Sequence, residues 1–185
     1  PIHHKEYNPY VEAFWKWWPD LYRDLHTFRI TGGEPLMAKD TWKVLDYVIN
    51  EPDPNTNLNL AINSNLGIND KLVDRFIEKI KRIEDEDRVK EFIIFTSVDG
   101  WGEQAEYIRN GLEFNRFWDN MNKILTACPR VNLTIMSTFS TEDISGREGK
   151  QKLADSLKNG INDVLMKVEG FGGVENVHFT SFVLQ

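Results

Sequence analysis

The chain is 185 residues long, 41% hydrophobic and 28% charged, and its 22 basic and 29 acidic side chains leave a formal net charge of -7. This is enough apolar material for one core, and the acidic balance argues against a nucleic-acid partner, because phosphate binding needs a surplus of Lys and Arg on one face. The single cysteine, Cys128, excludes an internal disulfide and a thiolate-ligated cluster held by this chain alone, and no apolar run approaches the roughly 20 residues of a membrane span. Together these features predict one globular domain over residues 1–185, located in the cytoplasm, with small molecules or proteins as partners and neither nucleic acid nor membrane.

Val11, Phe14, Trp15, Trp18, Leu21 and Leu25 recur at steps of three and four, which predicts a helix from near Pro9 that Pro19 kinks or divides. The crowded Phe14-Trp15-Lys16-Trp17-Trp18 run fits core packing better than stacking on a ligand. Phe28 to Ile30 reads as a short strand, Thr31-Gly32-Gly33-Glu34-Pro35 as a turn, and Asp40 as the cap of a helix carrying Trp42, Leu45, Val48 and Ile49. The rhythm repeats: a strand over Leu58–Ile62, a turn over Asn63–Gly67, and a helix with Leu72, Val73, Phe76, Ile77, Ile80 and Ile83 inside, ending in a solvated charged run from Glu84 to Lys90.

Glu91–Val98 holds the apolar strand Phe92-Ile93-Ile94-Phe95, ended by Asp99-Gly100 and followed by a long loop. A helix around Phe117–Leu125, a strand over Val131–Met136, a helix around Leu153–Leu157 and a strand over Val177–Val183 complete the chain. Strands alternating with helices predict an α/β fold with about five parallel strands, either an open doubly wound sheet or a partial (βα) barrel. The Pro1 start and the strand-like end at Gln185 suggest a piece of a longer barrel.

Polar residues follow directly on four of the predicted strands: Thr31 to Glu34, Asn63 to Asn65, Ser97 to Asp99, and Ser137 to Ser140. That is the carboxyl edge at which parallel sheets bind ligands, although turns favour these residue types in any case. In the first of these turns Gly32 and Gly33 remove every Cβ, and Pro35 has no N–H to offer a phosphate. With Glu34 beside exposed carbonyls, the turn suits an ammonium group better than an anion, and its spacing is not that of a dinucleotide or P-loop fingerprint. A plain glycine turn with a capping glutamate has the same chemistry. His3, His4, Glu6, His26 and His178 read as isolated surface or structural residues, Glu103 and Glu106 as solvated loop acids, and Cys128 as a buried thiol.

Strand-Thr-Gly-Gly-Glu-Pro-Leu-helix resembles the Gly-Gly-Glu-Pro motif of the radical S-adenosylmethionine (radical SAM) superfamily, with Gly32, Gly33, Glu34 and Pro35 matching in full. Asn63-Ser64-Asn65-Leu66-Gly67 resembles the family's Thr-Asn-Gly turn, with Ser and a shifted Gly as departures. Thr96-Ser97-Val98-Asp99-Gly100 with Tyr107–Gly111 and Phe114 resembles the Ser-x-Asp-Gly, Arg-Gly and Phe series of members with a SPASM/twitch auxiliary-cluster domain, and Asn110 interrupts the Arg-Gly pair. The resemblance implies a partial barrel binding S-adenosylmethionine, which a 4Fe-4S cluster cleaves reductively to a 5′-deoxyadenosyl radical.

By that resemblance Gly32, Gly33, Glu34 and Pro35 would hold the cofactor's amino group and Arg109 its carboxylate. Ser97, Ser137 or Thr138 would face the ribose, with Asn63, Ser64, Asn65 and Asp99 nearby. The family's Cys-x-x-x-Cys-x-x-Cys loop is absent, so this chain alone is expected to be inactive: it would lack the first strand and cluster loop of the full-length enzyme. A reductase and a peptide or protein substrate are the implied partners. Two alternatives stand beside this one: a non-catalytic nucleoside-binding barrel without a cluster, and an ordinary α/β enzyme acting on phosphorylated substrates.

Overall fold

The computed structural model describes residues 8–138 and, further along, Gln151, Ala154, Asp155, Lys158, Asn159 and Asn162. The chain divides into two units, Pro1–Ser137 and Thr138–Gln185. In the second, Ala154 and Asp155, inside the helix expected around residues 153–157, are helical. The strand expected at 177–183 lies outside the described residues.

The first unit is built as α1 (Pro9–Asp24), β1 (Thr27–Ile30), a 3-10 turn (Pro35–Met37), α2 (Lys39–Asn50), β2 (Asn59–Asn63), α3 (Asp70–Asp85), β3 (Glu91–Ser97), α4 (Glu103–Ile108), α5 (Phe114–Ala127) and β4 (Asn132–Met136). All pairings are parallel and the strand order is β1-β2-β3-β4. Four parallel strands in consecutive order replace the expected barrel of about five: the described sheet is open, and a barrel needs more strands to close than are described here.

Phe28, Ile30, Leu60, Ile62, Phe92, Ile94 and Leu133 share one core with the apolar stripes of α1, α2, α3 and α5, so these helices cover one face of the sheet. Trp18 sits against Phe28 with centroids 4.7 Å apart, and Phe76 against Phe92 at 5.9 Å. Alternation along each strand places Arg29, Asn63, Phe95, Ser97 and Met136 on the opposite face, aligned by the register Arg29↔Ala61↔Ile93, Asn63↔Phe95 and Ser97↔Met136.

Three local expectations are corrected. α1 is continuous through Pro19: the helix loses one backbone bond there, while the buried Trp18 and Tyr22 on either side hold both halves on the same core. Asp40 does not cap α2, whose N-cap is Ala38; the Asp40 carboxylate instead accepts from Trp15 Nε1 at 2.9 Å, tying α1 to α2. Glu84 is only 7% exposed, so the charged run after Ile83 is not wholly solvated, and burial pushes its carboxyl pKa up. Cys128 is buried as expected, and burial pushes its thiol up to about 11.

Candidate functional site

The carboxyl ends of the strands bring the polar turns together. Gly32, Gly33, Asn63, Ser64, Asn65, Ser97 and Arg109 line one open cleft of about 170 Å³, floored by Phe95 and Met136. Parallel pairing explains this convergence: every strand ends at the same edge, so segments about thirty residues apart in sequence meet there.

Glu34 does not stand open at this edge. Its Oε1 accepts from the Leu36 N–H at 3.1 Å and from Ser64 Oγ at 2.9 Å, and its Oε2 accepts from the Asn65 N–H at 2.9 Å. It thereby caps the 3-10 turn that the buried Pro35 begins and fastens the end of β1 to the end of β2. Ser64 in turn accepts from the Leu66 N–H at 3.0 Å, and Asn65 Oδ1 from the Gly67 N–H at 2.8 Å. These bonds make the Glu34 and Asn63–Gly67 turns one braced structure.

Asp99 and Arg109 form an ion pair, with Arg109 Nε donating to Asp99 Oδ2 at 2.5 Å; the Asp99 side chain is 8% exposed and that of Arg109 37%. The pair clamps the turn after β3 to the end of α4, a helix lying in the segment expected to be a loop. Glu106 on that helix accepts from the Phe114 N–H at 2.7 Å and so opens α5, a structural role for an acid expected to be solvated. Ser137 Oγ donates to the Val98 carbonyl, closing the ends of β3 and β4. Thr138 is the first residue of the second unit, and His3, His4, Glu6 and His178 lie outside the described residues.

Two residues beside the cleft were not singled out from sequence. Arg29, in the middle of β1, lies with its guanidinium carbon 3.8 Å from the Phe95 ring centroid and donates from Nε to Asn63 Oδ1 at 2.6 Å. An arginine at an alternating position of a short strand is the signal that could have found it. Asn120, buried in α5, donates to the Leu66 and Ile68 carbonyls at 2.7 and 2.9 Å and pins the turn after β2 from behind. Nothing in its local sequence distinguishes it from a surface helix residue.

A family model described as FliL, flagellar basal body-associated protein, matches residues 103–185, which is less than half of the chain. No curated protein and no solved structure matches. The matching family is not a radical SAM family, and this finding overturns the radical SAM reading that Gly32–Pro35 suggested. The expected radical enzyme, its S-adenosylmethionine and 4Fe-4S cofactors, its reductase and peptide substrate, and the alternative nucleoside-binding barrel are corrected with it.

The geometry gives the physical side of this correction. Glu34, expected to receive an ammonium group, has both carboxylate oxygens engaged by the chain itself, and among the described residues no group of three or more His, Cys, Asp and Glu side chains could hold a metal ion. The cytoplasmic assignment is corrected as well, since the matched family is described as flagellar basal body-associated. Among the described residues no helix is long and apolar enough to cross a membrane.

Proposed function

We propose that this chain works by associating with other proteins, in the manner the flagellar basal body-associated match suggests, and that the strand-end cleft is a recognition site and not a reaction centre. The observation that carries this reading is the condition of the two acids at the cleft. Glu34 accepts three hydrogen bonds from its own turn and its neighbour, and Asp99 is held in the Arg109 ion pair. A general base must be within reach of a substrate proton, and both carboxylates are already committed to holding the turns together. The lining includes no histidine or cysteine.

Two further features support association. The matched segment begins at Glu103, the first residue of α4, and includes Arg109, whose side chain lines the cleft. The start of this segment also exposes large apolar side chains: Tyr107 and Ile108 lie open to solvent, Tyr107 at 90%, as does Trp101 just before it. Aromatic residues held at a surface at low entropic cost are common anchors of protein interfaces. Gly32, Gly33, Asn63, Ser64, Asn65, Ser97 and Arg109 are the proposed recognition residues, with Glu34, Pro35, Asp99 and Ser137 shaping the turns that present them.

The test is to express a tagged form of the protein in a flagellated bacterium, cross-link, and isolate basal bodies. The protein is expected to be enriched in that fraction, and Tyr107→Ser is expected to lower the enrichment severalfold. A folded, soluble protein that does not enter the basal-body fraction at all would overturn the reading.

A further inference from the structure

Among the described residues Arg29 has no carboxylate partner, although the chain carries seven more acidic than basic side chains. Its Nε–H donates to Asn63 Oδ1 at an N···O distance of 2.6 Å, and Nη2 donates to Met136 Sδ, a weak acceptor, at an N···S distance of 3.7 Å. Phe95 supports one face of the guanidinium plane at 3.8 Å. These three contacts fix the orientation of the group and leave its remaining N–H donors without a protein acceptor among the described residues. A guanidinium stacked on an aromatic ring is held rigidly, so that little further entropy is lost when it binds.

Arg29 stands at the margin of the strand-end cleft: the three residues it touches, Asn63, Phe95 and Met136, all line it. The cleft measures about 170 Å³, and a Cβ built on Gly32 or Gly33 would meet nothing within 4 Å. The lining itself carries the Ser97 hydroxyl and one guanidinium, that of Arg109. A drug-sized molecule or a nucleotide needs a pocket of roughly 300 Å³ or more. A single amino-acid residue is the right size. The charges select further: Glu34 and Asp99 stand close to the cleft, and their negative charge opposes a dianionic phosphate more strongly than a monoanion.

We infer that the cleft binds one carboxylate of a protein partner, with Arg29 as the anchoring residue and Ser97 contributing a hydrogen bond. This rests on the reading that the chain associates with proteins, and it names the chemistry the cleft would recognise. The planar fork of arginine matches a carboxylate edge with two parallel hydrogen bonds. The carboxylate has two possible sources, the C-terminus of a polypeptide or an Asp or Glu side chain, and the same cleft chemistry serves both.

The experiment is an NMR titration of the full 185-residue protein with three short probes: acetyl-Gly-Ala-Ala with a free C-terminus, acetyl-Gly-Glu-Ala-amide, and acetyl-Gly-Gln-Ala-amide. Saturable shifts of the Arg29 Nε–H and Phe95 ring resonances are expected with at least one carboxylate probe and not with the glutamine probe. Preference between the first two identifies the source. Arg29→Gln should weaken binding at least tenfold, and Arg29→Lys should restore part of it; raising the salt concentration should weaken binding in the unsubstituted protein.

Equal response to all three probes, or no response to any, would sink the proposal, and that readout needs no variant to fold. Binding unaffected by Arg29→Gln would also overturn it. The two readings fail separately. Enrichment in basal bodies without carboxylate binding removes only the carboxylate assignment, and carboxylate binding without enrichment removes only the basal-body reading.

Discussion

Ser64, at the end of β2, donates from its hydroxyl to the Glu34 carboxylate at 2.9 Å, joining two turns thirty residues apart in sequence. The same carboxylate accepts the Leu36 and Asn65 backbone N–H groups, so its removal leaves three donors at a part-buried strand edge without their acceptor. Glu34→Ala is therefore expected to destabilise the protein by about 1–3 kcal/mol. Ser64→Ala, which removes the donor to Glu34 and the acceptor of the Leu66 N–H but leaves the two backbone bonds to the carboxylate, should cost less. Urea denaturation monitored by tryptophan fluorescence measures both, and a neutral Glu34→Ala would show that the brace contributes nothing.

This brace also marks the limit of what the sequence disclosed. The alternation of strands and helices was visible because apolar side chains repeat at two and at three to four residues, and β1 to β4 lie within a residue or so of their expected positions. The convergence of Gly32, Asn63, Ser97 and Arg109 was also legible, because parallel strands end at a common edge. The orientation of Glu34 was not. A glutamate after two glycines reads equally as a ligand contact or as a cap, and only the position of Ser64 decides between them. The Gly32–Pro35 motif, with the likenesses of the turn after β2 and of the Ser97–Gly100 and Tyr107–Phe114 series, therefore carried a family assignment that the FliL match over 103–185 does not support. Arg29 was overlooked for the opposite reason: it belongs to no motif, and its place over Phe95 depends on a register between β1, β2 and β3 that no local pattern reveals.

Tyr22 illustrates a buried polar contact of the same kind, ahead of the strands where the Glu34 brace lies after them. Its ring is fully buried, and its hydroxyl accepts from the Asn55 N–H at 3.1 Å, while Asn55 Nδ2 donates to the Tyr22 and Leu25 carbonyls at 2.8 and 2.7 Å. The end of α1 is thus sewn to the loop before β2. Tyr22→Phe keeps the packing and leaves the Asn55 N–H unpartnered, which should cost roughly 1–2 kcal/mol in the same denaturation assay. Asn55→Ala keeps that backbone bond but breaks three others, the two from Nδ2 and the one Asn55 Oδ1 accepts from the Asn57 N–H, and is expected to cost more than Tyr22→Phe; the reverse order would contradict this account.

Glu84 sets a pH dependence. It is 7% exposed, its Oε1 has no hydrogen-bond partner, and burial raises its pKa in the folded state, opposed by the charge of Arg130. A carboxyl group whose folded pKa is raised favours folding while it is protonated; that contribution is complete below the unfolded-state pKa and is lost as pH rises through the folded value. Glu84→Gln removes the buried charge, so the variant should be more stable than the unsubstituted protein at pH 7, by roughly 1 kcal/mol. The gain should shrink towards pH 4, where the unsubstituted side chain is also neutral. Thermal unfolding of both proteins from pH 4 to pH 8 tests this, and a difference that stays constant across that range would exclude Glu84 as its source.

Gly32 and Gly33 stand side by side in the turn and should respond oppositely to the same substitution. Gly32 has φ +138°, a conformation L-residues rarely adopt, so Gly32→Ala is expected to destabilise by about 1 kcal/mol or more even though the new methyl group meets nothing within 4 Å. Gly33 lies outside the positive-φ region, and a methyl group there also enters open space. Gly33→Ala should leave stability unchanged or raise it by about 0.5 kcal/mol, because alanine restricts the unfolded chain. That methyl group, however, takes up space in a cleft of only about 170 Å³, so it should weaken carboxylate-probe binding severalfold while the fold is intact. The pair separates backbone strain from occupancy. If Gly33→Ala bound the probes as well as the unsubstituted protein, the carboxylate would have to sit away from the glycine turn, nearer to Ser97 and Arg109.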